Sequence, residues 1–139
     1  MIRCDATAGR EWESMGKPAD PSLLQKRLAS FGYAFRGIGT MLRTEVHARI
    51  HAVATVVVIG LGLLLEIDRA DWIAVTLAIT AVWCAEGFNT AFEALCDVAS
   101  PEYHSEVERA KDVAAGAVLI AAIGATVIAL LVFGRHLIG

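Results

Sequence analysis

Cysteine is scarce in this 139-residue chain. Its three copies, Cys4, Cys84 and Cys96, form an odd set without the paired spacing of a zinc site. Cys84 and Cys96 stand twelve positions apart on one apolar segment. That is too far for a mutual disulfide, so both read as small packing residues. An excess of positive charge is missing too. Twelve Lys and Arg against fifteen Asp and Glu leave a net charge of −3, so no nucleic-acid partner is expected. There is no G-x-x-x-x-G-K-[ST] phosphate loop and no protein-kinase catalytic loop. Residues 1–20 lack the apolar core of a cleavable signal peptide.

What the chain has in abundance is apolar side chains. Hydrophobic residues make up 56%, and the mean hydropathy is +0.57. Both exceed the usual apolar share of a soluble domain and favour a membrane protein of one domain.

Residues 1–20 are polar, aperiodic and contain Gly9, Gly16 and Pro18, the pattern of a disordered tail. From Pro21 to Thr44 the character changes. Leu24, Leu28, Phe31, Phe35, Ile38 and Leu42 recur at steps of four and three, an apolar stripe on a helix. Lys26, Arg27, Arg36 and Arg43 are interspersed, as in a helix lying in the membrane interface. Ala52 to Leu65 carries no charge but is short for a span. It becomes long enough if the helix starts near Glu45, with Arg49 reaching back to water. An acidic turn, Glu66 to Asp71, follows, and Trp72 opens a second apolar helix at an interface position. Ser100-Pro101 ends that helix. Ser105 and Glu108 have capping-box spacing, so a third helix is expected to start at Ser105. Val113 to Phe133 is a full-length span. Its small residues, among them Ala114, Gly116, Ala121, Ala122, Gly124 and Ala125, suit close helix packing.

The expected fold is thus an all-α membrane protein: three transmembrane helices plus an N-terminal amphipathic surface helix. Lys26, Arg27, Arg36, Arg43 and Arg49 precede or begin the first span, and Arg109 and Lys111 lie in the second connector. By the positive-inside rule these segments face the cytoplasm.

The second span leaves the bilayer carrying acid. Glu86, Asn89, Glu93 and Asp97 are spaced i, i+3, i+7 and i+11, which puts them on one side of a helix. Ionisable groups at membrane depth are costly and read as functional. Glu45 and Glu93 fall at similar depth, and two carboxylates bridging a divalent ion to phosphates are a common way to hold magnesium-nucleotide. Glu86 lies deeper, within reach of a lipid hydroxyl, and a partly desolvated carboxylate suits a general base. Lys111 offers a point charge for phosphate, and Asp112 beside it can orient the lysine or meet a ribose. On this ground alone, phosphoryl transfer, proton conduction and ion transport all stay open.

The pattern E-x-x-N-[ST]-A-x-E-x-x-x-D over Glu86 to Asp97, followed by A-K-D-x-x-A-x-A-V-L over Ala110 to Leu119, resembles the prokaryotic diacylglycerol kinase family. Gly32 to Gly37 and Glu45 resemble that family's N-terminal block, and the likeness runs from about Lys26 to the C-terminus. The resemblance implies an integral-membrane lipid kinase domain over residues 21–139. It implies a homotrimer in the cytoplasmic (inner) membrane, with active sites shared between subunits on the cytoplasmic side. ATP is the implied phosphate donor, Mg2+ the cofactor, and a lipid alcohol, diacylglycerol or undecaprenol, the acceptor. Glu86 then corresponds to the catalytic base, Glu45 and Glu93 to metal-ATP ligands, and Asn89 and Asp97 to supporting residues. Tyr33, Glu102, Tyr103, His104, Lys111 and Asp112 correspond to nucleotide contacts. Lys26 stands where the family has arginine and cannot make the bidentate fork. Arg49-Ile50-His51 and Asp71-Trp72 resemble the undecaprenol branch, which makes His51 a candidate for substrate specificity, whereas Glu102 to His104 is closer to the diacylglycerol branch. Two rival readings are a non-enzymatic ion or proton pathway along Glu86, Glu93 and Asp97, and a structural subunit packing through the small face of the last span.

Overall fold

The computed structural model describes residues 22–138; the expected N-terminal tail and Cys4 lie outside the described residues. Four helices follow one another: α1 (Leu23–Thr44), α2 (Val46–Leu64), α3 (Arg69–Ala99) and α4 (Ser105–Ile138). The chain divides into two units, Met1–Arg36 and Gly37–Gly139.

The described part of the first unit is the opening of α1. Ser22 and Gln25 cap it reciprocally. The Ser22 amide donates to Gln25 Oε1 at 2.9 Å, and the Gln25 amide donates to Ser22 Oγ at 3.3 Å. Of the striped apolar residues, Leu24, Leu28 and Phe35 are exposed. An amphipathic helix with a bare apolar face is what an interface helix looks like without its lipid.

In the second unit, α2, α3 and α4 are each long and apolar enough to cross a membrane, so this is a multi-pass helical membrane protein. At 19 residues, α2 reaches about 28 Å at ~1.5 Å per residue, close to the hydrocarbon thickness. It attains that length by starting just past Glu45, as expected. α3 packs most extensively on α4, and α2 touches both more lightly. Large parts of all three remain bare, including Val56, Leu63 and Leu130, each about seven-tenths exposed. In a bilayer such faces meet lipid or another protein surface rather than water.

Two local devices set the geometry. At the end of α2, Glu66 takes the left-handed conformation at φ 50, and the Ile67 amide donates back to the Gly62 carbonyl at 3.2 Å. This is a Schellman closure with glutamate in glycine's usual place. Gly62 itself admits Trp72 closely. A Cβ built there would lie 2.9 Å from Trp72 Cη2 and 3.1 Å from Ile67 Cδ1. Trp72 therefore sits in the first turn of α3 and docks against the end of α2. Around it lies the core: Ile67, Val75, Val132 and Phe133, flanked by Val58, Leu65 and Ile79. At the same end of the spans, Arg135 donates to Asp68 at 2.9 Å and to the buried Asp71. Asp68 also caps α3, accepting the Asp71 amide at 2.9 Å. That bond chiefly, with Arg135 beside it and against a smaller push from burial, holds the Asp68 carboxyl below its ordinary value.

Within the single chain the expected packing residues divide between buried and exposed. Cys96 is buried but Cys84 is exposed. Of the small residues on α4, Gly116 and Ala122 are half-buried, whereas Ala115 and Gly124 are exposed. Nothing lies within 4 Å of a Cβ built at Gly124.

Candidate functional site

The other end of the spans carries the polar residues. There α3 ends at Ala99, the Ser100 amide donates a hydrogen bond to the Cys96 carbonyl, and Pro101 prevents continuation. A short connector then turns into α4 at Ser105, where a helix start was expected. The cap is not the expected one. His104 Nδ1 accepts the Glu106 amide at 3.2 Å, and the His104 carbonyl accepts from Val107 and Glu108. His104 is thus the capping residue, and Ser105 is already helical. Glu108 is drawn elsewhere: Tyr103 donates its hydroxyl to Glu108 Oε2 at 2.7 Å. That bond raises the phenol's pKa above its ordinary value, because it favours the protonated form.

Along α3 the predicted acidic line is present, and its burial falls toward the connector. Glu86 is 2% exposed. Asn89 and Glu93 are half-buried and joined: Asn89 Nδ2 donates to Glu93 Oε1 at 3.0 Å. The other atom of that amide, Asn89 Oδ1, is buried and has no hydrogen-bond partner, nor has Thr90 Oγ1. Asp97 is mostly exposed and pairs with Lys111 across the α3–α4 seam. The lysine is therefore oriented by Asp97 rather than by its neighbour Asp112, which is exposed. Antiparallel packing brings residues fourteen apart into contact, whereas adjacent helix positions point in different directions.

The connector folds over this pair to form a cavity of about 340 Å³. Among its lining residues are Asp97, Glu102, Tyr103, His104, Lys111 and Asp112. Residues named from separate stretches of sequence thus line one polar hollow.

Glu45 stands at the start of α2, outside the lining of that cavity. It is half-buried, caps no backbone amide with its side chain, and accepts from Thr44 Oγ1 at 3.0 Å. One turn earlier, buried Met41 reaches α3: its Sδ lies 4.0 Å from where a Gly87 Cβ would be. That approach brings the Met41 side chain beside the turn that follows Glu86. Among the described residues of this single chain, no three His, Cys, Asp or Glu side chains group as a metal site. Lys26 and Tyr33 belong to the first unit. Both are exposed on α1, and the Arg36 guanidinium stands 5.6 Å from the Tyr33 ring centre. His51 is half-buried farther along α2 and lines a different cavity. Sequence reasoning gave no role to Thr55 or Trp83, which bond across helices beside that cavity. It also missed the Arg135–Asp68–Asp71 cluster, although charged residues beside apolar runs were its visible signal.

By its fold this is a multi-pass, all-helical membrane protein with a polar cavity where two of its spans meet. More narrowly, the chain belongs to the prokaryotic diacylglycerol kinase family, whose profile matches residues 32–133. The match takes in Tyr33, Glu45, the Glu86–Asp97 line, the connector and Lys111–Asp112, but not Lys26. The chain is 36% identical to the undecaprenol kinase of Bacillus subtilis over 110 residues, 79% of this chain and 89% of that one. It is 37% identical to a diacylglycerol kinase of Synechocystis over 102 residues, 73% of this chain and 58% of that one. It is 31% identical to the diacylglycerol kinase of Escherichia coli over 96 residues, 69% and 79% of the two chains. The protein is a lipid kinase of a bacterial membrane-kinase family.

Proposed function

We propose that this protein transfers the γ-phosphate of ATP to the hydroxyl of a membrane lipid alcohol, making phosphatidate from diacylglycerol or undecaprenyl phosphate from undecaprenol. The observation that carries the reading is the burial gradient on α3, from dry Glu86 to exposed Asp97 paired with Lys111. A lipid hydroxyl and a water-soluble donor need those two environments within a few turns of each other.

Glu86 takes the proton from the lipid hydroxyl, whose oxygen attacks the γ-phosphorus in line as the bond to ADP breaks. Lys111 and the connector residues Glu102, Tyr103 and His104 hold the nucleotide, with Asp112, Tyr33 and Lys26 as further contacts. Asp97 keeps Lys111 extended toward the phosphates. Asn89 orients Glu93.

Magnesium fits the donor set. Glu45 and Glu93 are carboxylates, and the unpartnered Asn89 Oδ1 adds a hard oxygen beside Glu93. Bound there, the cation would neutralise charge on the transferring phosphates. The bare faces of the spans support a homotrimer with sites shared between neighbours. The cationic segments near α1 and in the connector support a cytoplasmic placement of this end, in the inner membrane. His51 is a candidate for choosing between lipids.

The test is purified protein in mixed micelles with magnesium and γ-labelled ATP, offered diacylglycerol and undecaprenol side by side. Label appearing in a lipid phosphate is the expected result. No labelled lipid, together with charge flux in ATP-free liposomes, would overturn it in favour of an ion pathway.

A further inference from the structure

The kinase reading leaves one built cavity without a role. It is a groove of about 250 Å³ between α2, α3 and α4, whose lining includes His51, Thr55, Val82, Ala122, Ala125 and Thr126. The side chains lining the groove from α4 are mostly alanine, too short to fill it. Val82 is buried and lies one turn before Glu86 on α3. Side chains on a helix lean toward its N-terminus, so Glu86 leans toward the turn whose Val82 lines the groove.

A hydrogen-bonded tie joins α2 to α3 at the groove's Thr55 wall. Trp83 Nε1 donates to Thr55 Oγ1 at 3.0 Å, and the Thr55 hydroxyl donates to the His51 carbonyl at 2.7 Å. At hydrocarbon depth an indole N–H without Thr55 has no water to turn to, so the tie holds α2 against α3 at a fixed separation.

We infer that this groove takes a single hydrocarbon chain attached to the reacting hydroxyl, and that the Thr55–Trp83 tie sets its width and makes it selective for one-chain lipid alcohols. The inference rests on Glu86 being the base, because whatever bears the hydroxyl must continue into the space beside that carboxyl. The volume decides the number of chains. At ~30 Å³ for a water-sized group, 250 Å³ holds about eight carbon-sized groups in a row. Two chains abreast would each find room for only about four.

The test compares a long polyprenol with dioleoylglycerol as acceptors for the full chain in mixed micelles, with ATP affinity measured alongside. The wild type is expected to prefer the polyprenol by about tenfold or more in kcat/KM. Ala125→Leu, which fills the groove, should lower kcat/KM for the polyprenol by about tenfold, mainly through KM, while changing dioleoylglycerol far less. Thr55→Val keeps the volume but removes the acceptor and should erase the preference. Thr55→Ser keeps the hydroxyl and should retain it. ATP affinity should hold in all three, which separates these effects from misfolding. A wild-type preference for dioleoylglycerol, equal losses on both acceptors, or indifference to Thr55→Val would overturn the inference. A wild type that labels neither acceptor would instead overturn the kinase reading, and this proposal with it.

Discussion

Arg135→Gln should cost far more stability than Asp71→Asn, although both remove the same ion pair. The Asp71 side chain is 9% exposed and the Arg135 side chain 52%. Taking away the arginine leaves a nearly dry carboxylate without its counter-charge. Breaking a buried pair in this way costs about 3–5 kcal/mol. Water already reaches Arg135, so we expect about 2–3 kcal/mol here. Asp71→Asn keeps the shape and drops the charge, and Arg135 still has Asp68 at 2.9 Å. That variant should lose about 1 kcal/mol. The double variant should resemble Asp71→Asn alone, a coupling of about 2–3 kcal/mol. Titration of detergent-solubilised protein with sodium dodecyl sulfate, followed by far-ultraviolet circular dichroism, reads all four stabilities. Strictly additive losses would show that Arg135 and Asp71 do not depend on each other and would refute the reasoning.

Gly62→Val should destabilise by about 1–3 kcal/mol in the same titration, because the new side chain meets Trp72 where a Cβ would already lie 2.9 Å away. The Asp68 carboxyl has its pKa lowered from 3.8, so its contribution is present above that pH and is lost as pH falls through the lower folded value. Wild-type protein should therefore lose stability on acidification below about pH 3.8, and Asp68→Asn, which can still cap α3, should lose less over the same interval. Glu93→Gln should raise the magnesium concentration needed for half-maximal turnover, by at least the roughly 10–100-fold typical of losing an outer-shell partner. An unchanged requirement would remove Glu93 from the metal site.

The helices were legible because their signals are local. The start of α2 near Glu45 follows from the length a span needs. The end of α3 follows from Ser100-Pro101, and the Glu86, Asn89, Glu93, Asp97 spacing gives one acidic helix face. What escaped depends on how one helix registers against another. Asp97 meets Lys111, Thr55 meets Trp83 across 28 positions, and Arg135 reaches Asp68 across 67. Hydrophobic periodicity says which face is apolar, but not how far two antiparallel helices slide past each other. His104 as a cap escaped for a related reason: its ring nitrogen accepts the Glu106 amide because of how the connector turns, and residue type alone favours Ser105. The gathering of connector and Lys111 residues around one cavity likewise came into view with the fold. The resemblance had named them without saying that they meet.

The sharpest measurement is the split between turnover and nucleotide affinity in Glu86→Gln. In mixed micelles with labelled ATP and a lipid alcohol, the variant should lose about 10²–10⁴-fold in kcat, the usual worth of a general base, while binding ATP as tightly as the wild type. Near-normal kcat in a variant without this carboxylate would contradict the account.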